Sequence, residues 1–500
     1  MTAPAASAPP PAQPGAAPRP RRGGRGRRNA ELGLLVLAMV LVAAYGAAVQ
    51  ASMLDTITGT FWVPAAVLFL TFFALHLVVR FLAPHADPAL LPAVALLNGL
   101  GVGFLRRLDL GGQEAARRVD YPVFAGVGGR QLAWTLISVV LAAALLVVVR
   151  DHRMVSRYAY TLGLVGIVLV ITPAVLPSSI SEVNHAKLWI RFGSFFSIQP
   201  GEFAKLALLS FFAYYLVRKR EVLSLASKRF LGIDFPRGRD LGPVVAVWAL
   251  SLLVLVFEKD LGTSLLYFGM FVVTLYIATE RVSWLIIGLL LFSGGAFLAY
   301  LLGHSIGGPF LNFGQRVDTW LDPFADPYDK GWQLTQSLLG LGTGGLFGTG
   351  PGAGQPNLVE EVKNDFIFAG MGEEVGLFGL SALLVIYLLI VARGLRAGLA
   401  VRDSFGKLLA GGLSFTLGLQ VFVIVGGVSG LIPLTGQTTP FLSAGGSSLM
   451  ANWLLVAMLL RISDAAGRPA GEGAAGPVRS SGTGSAPMRL HGAPTEVINR

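Results

Sequence analysis

The 500-residue chain contains no cysteine, which excludes disulfides, thiolate metal sites and a cysteine nucleophile. Charge is also scarce, with 13% of residues being Asp, Glu, Lys or Arg. Together with 53% hydrophobic residues and a mean hydropathy of +0.65, that scarcity excludes a soluble globular fold. The six histidines form no ligand pattern at helical spacing, so a zinc site is not expected. The stretch GTGGLFGTGPG at 342–352 is rich in glycine. No Lys-Ser/Thr pair follows it and no strand pattern precedes it, so it is neither a P-loop nor a dinucleotide loop. Close backbone packing at the membrane surface is its expected role. No cofactor is identified, and a divalent metal is left open. Chemistry falls to Asp, Glu, His, Lys, Arg and hydroxyl groups.

What the chain does have is apolar length. A helix that crosses a bilayer takes about 20 residues. Runs of this kind fall near 32–51, 60–82, 89–105, 131–150, 156–177, 202–217, 241–257, 262–279, 283–303, 366–392, 406–431 and 440–461. The expectation is an all-α polytopic membrane protein with about twelve transmembrane helices. The run at 89–105 is short and holds Asn98, Gly99, Gly101 and Gly103, which predicts a broken or tilted helix. Residues 1–30, Pro/Ala-rich and then Arg-rich, read as a disordered basic cytoplasmic tail. Residues 31–462 read as the membrane domain, and 463–500, rich in Gly, Ala, Ser and Pro, as a second disordered cytoplasmic tail. A formal charge of +11 without a nucleic-acid-binding fold points to topology and anionic lipid, not to nucleic acid. In the final APTEVINR, Thr495 offers a phosphorylation site for a phosphothreonine-reading partner, and an unmodified tail fits equally well.

With both termini in the cytoplasm, most of the 39 lysines and arginines fall on inside segments. The connection 106–130 departs from this rule, carrying Arg106, Arg107, Arg117, Arg118 and Arg130 outside. Either the third span is misplaced or these arginines meet an external anion. The longest outward connection, about 304–365, exceeds ordinary loop length and contains WLDPFADPYDKGWQLTQS. Its prolines and Trp332 predict an ordered loop lying against the membrane. Its acids are Asp318, Asp322, Asp326 and Asp329, followed by Glu360, Glu361 and Asp365. Proline after Asp322 and after Asp326 biases both to extended backbone, as a positioned carboxylate needs and as ordinary turns also do.

Ionisable groups inside spans are costly and usually mark function. Glu202 and Lys205 stand one helical turn apart, Glu373 and Glu374 lie in FIFAGMGEEVGLFG, and Glu258, Lys259 and Asp260 cluster at a helix end. They are either neutralised pairs that pin helices together or the lining of a polar cavity for an amphiphilic anion.

From about Asn98 to Ile462 the chain resembles the SEDS family of RodA, FtsW and SpoVE relatives. The resemblance rests on NGLGVGFLRRLD, QLAW, IQPGEFAKLAL, FEKDLGTSLLY, DPFADPYDKGWQLTQSLLGLGTGGLFGTG, NDFIFAGMGEEVGLFG and IPLTGQTTPFLSAGGSSLMANW. The ending TTPFLSAGGSSLMANW is most similar to the RodA-like, elongation branch of high-GC Gram-positive bacteria. Two positions depart from the pattern: Leu188, beside Lys187, stands where an Arg is usual, and Gly201 where a Ser is usual. Twelve spans instead of the usual ten imply two additional N-terminal helices.

The resemblance implies a peptidoglycan glycosyltransferase of the cytoplasmic membrane. It would polymerise lipid II at the outer face, for cell-wall elongation and shape, together with a class B penicillin-binding protein. A glycan held by undecaprenyl pyrophosphate would be attacked at its anomeric carbon by the 4-hydroxyl of a lipid II GlcNAc, so a general base is required. Asp326 aligns with the family's functional aspartate, with Asp322 in reserve. Arg106, Arg107, Lys187, Arg191 and Lys205 are the candidate cations for the pyrophosphate, and Glu202 and Glu374 the buried acids of the substrate cavity. The competing readings are a lipid II flippase and a membrane scaffold of the elongation complex.

Overall fold

The computed structural model describes residues 24–112, 122–183, 186–192, 196–223, 226–230, 233–236, 242–257 and 260–469. The helices are α1 Gly24–Leu54, α2 Gly59–Leu82, α3 Leu90–Gly112, α4 Gly126–Val148, α5 Arg153–Arg157, α6 Ala159–Val175, α7 Ser178–Ser181 and α8 Pro200–Leu223. They continue with α9 Gly242–Phe257, α10 Leu261–Thr279, α11 Ser283–Ser305, α12 Leu311–Leu321, α13 Trp332–Gly344, α14 Ile367–Ala400, α15 Ser404–Val428 and α16 Gly446–Gly467. Strand structure among the described residues is confined to three small antiparallel ladders: Glu182–Val183 with Ala186–Lys187, Ile190–Phe192 with Phe196–Ile198, and Ala226–Phe230 with Ile233–Pro236.

Hydrocarbon offers the backbone no hydrogen-bond partner, so long apolar runs fold as helices that satisfy themselves. Among the described residues, nine helices are long and apolar enough to cross a membrane. The other three of the twelve expected spans coincide with α6, of 17 residues, with α9, of 16, and with α8, which carries Glu202, Lys205 and a basic last turn. The protein is an all-α, multi-pass membrane protein. Its two most buried spanning helices are α3 and α16, with α10 and α15 close behind, whereas α11 is mostly exposed as a lipid-facing helix would be. The tightest neighbours are α6 on α8, α16 on α4, α1 on α3 and α14 on α15.

Of the broken or tilted helix expected for the third span, the break is absent: α3 is one continuous helix to Gly112. Its polar and small residues are contacts. Asn98 donates to Thr135 Oγ1 at 3.1 Å and accepts from Trp453 Nε1 at 3.0 Å, so its amide joins α3, α4 and α16. A Cβ on Gly101 would stand 2.6 Å from the Leu442 carbonyl oxygen, so only glycine lets α3 lie this close to the chain entering α16. Helix α1 starts at Gly24 and α16 runs to Gly467.

One end of the bundle gathers the start of α1 and the close of α16. Arg27 and Arg28 donate to the carbonyls of His85 and Ala86, and the His85 N–H donates to Asp464 Oδ1 at 2.9 Å. The opposite end carries the long connection 306–366, called the loop end below. The connection is folded: α12 and α13 lie within it, separated by the turn 322–331.

Candidate functional site

The acidic turn is held by its own backbone and by the bundle. Trp320 Nε1 donates to the Gly430 carbonyl at 2.8 Å, and Ser337 Oγ to the Val428 carbonyl at 2.9 Å, which fixes α12 and α13 on the end of α15. Between them, Gly331 N donates to Asp326 O at 2.9 Å and Thr335 Oγ1 to Pro323 O at 3.1 Å. A Cβ on Gly331 would sit 2.2 Å from Pro323 O, so the turn closes only around glycine. Asp322 ends α12 and accepts from Phe324 N at 3.2 Å. Asp326 is exposed, and its carboxylate makes no hydrogen bond or ion pair with the described residues. The result is a stiff backbone presenting an unengaged carboxylate.

Arg316, one turn before Trp320, donates to the Leu434 carbonyl at 3.0 Å. Its charge acts on two acids, Asp260 and Asp365. Asp260 caps α10, accepting from Thr263 N at 3.0 Å and from Gln437 Nε2 at 3.1 Å. Burial, reinforced by the nearby Glu361, pushes the Asp365 carboxyl up to about 7 although Arg316 pulls the other way. In sequence Asp365 carries no more weight than its acidic neighbours, and Arg316 draws no notice at all. Their approach is made by the 429–445 segment, which the sequence marks only as a motif.

Arg107 lies buried at the loop end of α3. Its Nε pairs with Glu374 Oε1 of α14 and its Nη2 donates to the Gly354 carbonyl, while Tyr45 of α1 donates to Glu374 Oε2 at 3.3 Å. One of the arginines that offend the positive-inside rule, Arg107, therefore meets an internal carboxylate. Arg106, its half-buried neighbour, lines a cleft between α1, α2 and α3.

The glycine-rich stretch finds its role beside this pair. α14 breaks at Gly376, whose φ is +67°. The backbone freed there is satisfied by the preceding segment: Thr349 N donates to Glu373 O at 2.9 Å, Gly350 N to Glu374 O at 3.0 Å, and Leu377 N to Gly345 O at 2.9 Å. Gly348, at φ +81°, lies so close that a Cβ would stand 2.1 Å from Glu374 O. Close backbone packing is what these glycines provide. Glu373 is tied in as well, accepting from Gln355 N at 2.8 Å.

Lys205 and Glu202 face each other across one turn of α8, both buried, with Nζ 2.7 Å from Oε2. Lys205 also donates to Gln420 Oε1 at 3.0 Å and Asn452 Oδ1 at 3.4 Å, so α8, α15 and α16 share one ammonium. Lys187 is half-buried on the strand opposite Glu182, and Arg191 is exposed on the next ladder. The structure thus pairs Arg107 with Glu374 and Lys205 with Glu202, and joins neither Asp326 nor Asp322 to a candidate cation by direct contact. Glu258, Lys259, Arg117, Arg118 and Thr495 lie outside the described residues.

The family profile FtsW/RodA/SpoVE, described as cell cycle protein, matches residues 88–467. The chain belongs to the FtsW/RodA/SpoVE family. It is 48% identical over 477 residues to the peptidoglycan glycosyltransferase RodA of Mycobacterium tuberculosis, covering 95% of this chain and 96% of that one. It is 34% identical over 283 residues to stage V sporulation protein E of Bacillus subtilis, covering 56% of this chain and 72% of the relative. Among solved structures, a peptidoglycan synthase complex in which polymerization and crosslinking are coordinated matches with a TM-score of 0.55 at 25% identity, over 76% of this chain and 97% of that one. A point mutant of the rod-shape-determining protein RodA of Thermus thermophilus matches with a TM-score of 0.51 at 24% identity over 76% of this chain and 97% of that one, a likeness of fold. The profile begins at residue 88, so α1 and α2 precede the region that this FtsW/RodA/SpoVE chain shares with the profile.

Proposed function

We propose that the chain is a peptidoglycan glycosyltransferase that polymerises lipid II at the outer face of the cytoplasmic membrane, for cell-wall elongation. A class B penicillin-binding protein that crosslinks the strands is its partner. The activity accords with the near-full-length similarity to glycosyltransferases of that name, and the partner with the likeness to a synthase that couples polymerization to crosslinking. The observation that carries the mechanism is the exposed, unengaged carboxylate of Asp326 on a turn locked by Gly331 and Thr335.

The acceptor's 4-hydroxyl loses its proton to Asp326 as its oxygen bonds to the donor's anomeric carbon, and the bond from that carbon to pyrophosphate breaks. Such base catalysis is worth about 10²–10⁴-fold. The departing pyrophosphate takes the electron pair, and cations at the loop end stabilise it. Arg106 is the candidate with its side chain in a cleft. Lys205 and Arg107 are held by their own carboxylates and act first by fixing the helices that frame the site. The test is polymerisation of purified lipid II in detergent, where no bilayer exists to flip across. Glycan strands made with the penicillin-binding partner present support the enzyme; movement of lipid II in vesicles without glycan product would support a flippase instead.

A further inference from the structure

One segment holds both flanks of the acidic turn. The stretch 429–445 accepts from Trp320 Nε1 at the Gly430 carbonyl, at 2.8 Å, and from Arg316 Nη1 at the Leu434 carbonyl, at 3.0 Å, both donors lying on α12. Farther along, Ser443 Oγ donates to the Asn364 carbonyl and Ala444 N to the Lys363 carbonyl at 2.8 Å, which fixes the run 360–365. That run reaches the other flank, because Gln333 Nε2 of α13 donates to Glu360 Oε2 at 3.2 Å. Helix α12 enters the turn 322–331 and α13 leaves it, so the place of Asp326 depends on how firmly the two flanks are held together.

Arg316 is half-buried, and beyond its bond to Leu434 its guanidinium makes no hydrogen bond or ion pair with the described residues. The Gly436 backbone runs alongside, where a Cβ would stand 3.6 Å from Nη2. Two acids feel this charge without touching it: Asp260, the N-cap of α10, and Asp365, at the entry to α14. Asp260 is buried and already engaged by Thr263 and Gln437. Asp365 is half-buried, leans on its own N–H and that of Phe366, and takes no hydrogen bond from a described side chain. Among the described residues the charged groups acting on it are Glu361, which accepts from Asn364 Nδ2 at 2.5 Å, and Arg316; Lys363 is exposed.

We infer that Arg316 is a positioning residue for the acidic turn and that Asp365 sets how firmly it holds: ionised Asp365 draws the guanidinium, and α12 with it, onto the entry to α14. With Asp365 neutral, Arg316 is left to the Leu434 carbonyl and the flanks are loosely joined. The inference rests on the glycosyltransferase reading and adds two residues that act through the turn without touching substrate. Displacing a reacting group by about 1 Å costs on the order of 10²-fold in rate, so a loose turn lowers turnover although the base is present. Burial and Glu361 push the Asp365 carboxyl up to about 7, against the pull of Arg316, so its charge appears as pH rises through that value and turnover should climb with it.

The experiment measures polymerisation at saturating lipid II, from about pH 5 to about pH 9, by the full-length protein with its penicillin-binding partner in detergent. Alongside it, pulsed EPR reads the distance between spin labels at Tyr328→Cys in the turn and Arg402→Cys at the opposite end. The rate should climb through about pH 7 and the distance distribution should narrow over the same window. Asp365→Asn and Arg316→Gln should each lose at least about tenfold above that window and show no climb, and the double variant should be no worse than either. Arg316→Lys, which keeps the charge without the fork, should keep the climb at a lower rate. A climb retained in Asp365→Asn, or losses that multiply in the double variant, would mark two merely structural residues and overturn the inference. If Arg316→Gln does not fold, Arg316→Lys and Asp365→Asn decide by the same readings. Absence of glycan from the unaltered protein would sink the enzyme reading; the EPR distances then decide alone, since narrowing that vanishes in Asp365→Asn supports the inference and a width indifferent to pH overturns it.

Discussion

Arg107 and Glu374, 267 residues apart in sequence, form a buried ion pair that ties α3 to α14 at the break in the latter helix. The guanidinium reaches two acceptors at once, since Nη2 also holds the Gly354 carbonyl. An ammonium is a point donor on a flexible stem and does not reproduce that fork. Arg107→Lys therefore lowers stability and Arg107→Met lowers it further, by about 3–5 kcal/mol, because Glu374 is left as an unpaired buried charge. The double variant Arg107→Met/Glu374→Met recovers most of the loss, which thermal unfolding in detergent measures. Equal stability of Arg107→Met and the unaltered protein would contradict the pair's role.

Lys205 is satisfied by Glu202, Gln420 and Asn452. Lys205→Met should insert in the membrane, lose stability through the orphaned Glu202, and use lipid II poorly. Adding Glu202→Gln separates the two effects by restoring stability. If polymerisation returns with stability, the pair only pins helices; if it stays low, the ammonium also serves the lipid-linked anion.

The carboxyl of Asp365, in the long connection, sits at about 7 through burial and the proximity of Glu361, against the pull of Arg316. Its ordinary unfolded value is about 3.9. A carboxyl raised in the folded state adds stability that is full below about pH 4 and is lost as pH rises through about 7. Asp365→Asn, which stays neutral, should flatten the fall in melting temperature between those limits. An unchanged pH profile in this variant would assign the slope to other groups.

Orientation is testable because the chain has no cysteine of its own. Tyr328 is 87% exposed in the acidic turn, and Arg402 is exposed in the turn between α14 and α15 at the opposite end. In intact spheroplasts an impermeant thiol reagent should label Tyr328→Cys and not Arg402→Cys. Labelling of Arg402→Cys alone would invert the topology and overturn the proposed external placement of the active site.

The apolar runs are legible in sequence because a bilayer demands them and little else produces them. The family resemblance points to Asp326. What sequence conceals is mostly partnership. Asn98 and Gly101 look like defects in a span because their partners, Trp453 and the Leu442 carbonyl, lie more than 300 residues away. Arg106 and Arg107 read as outer-loop residues since charge normally ends a helix, whereas the Glu374 carboxylate lets α3 continue to Gly112. Arg316 carries no visible signal: an arginine in a short amphipathic helix reads as solvated until the 429–445 segment comes to meet it. The glycine-rich stretch reads correctly as backbone packing, but nothing in it announces the segment that satisfies a broken helix.

The most direct test of the central claim is the rate of glycan strand formation from purified lipid II by Asp326→Asn, co-purified with its penicillin-binding partner and compared with Asp322→Asn and Asp329→Asn. The asparagine keeps the size of the side chain and cannot accept a proton at neutral pH. The turn should persist, because its closing bonds come from the Gly331 N–H, the Thr335 hydroxyl and backbone carbonyls. The expected result is a loss of at least about 10²-fold for Asp326→Asn, with partner binding intact and Asp329→Asn active. Wild-type polymerisation by Asp326→Asn contradicts it: if Asp322→Asn is then inactive, the base is Asp322, and if all three variants remain active, no carboxylate of this turn is the base.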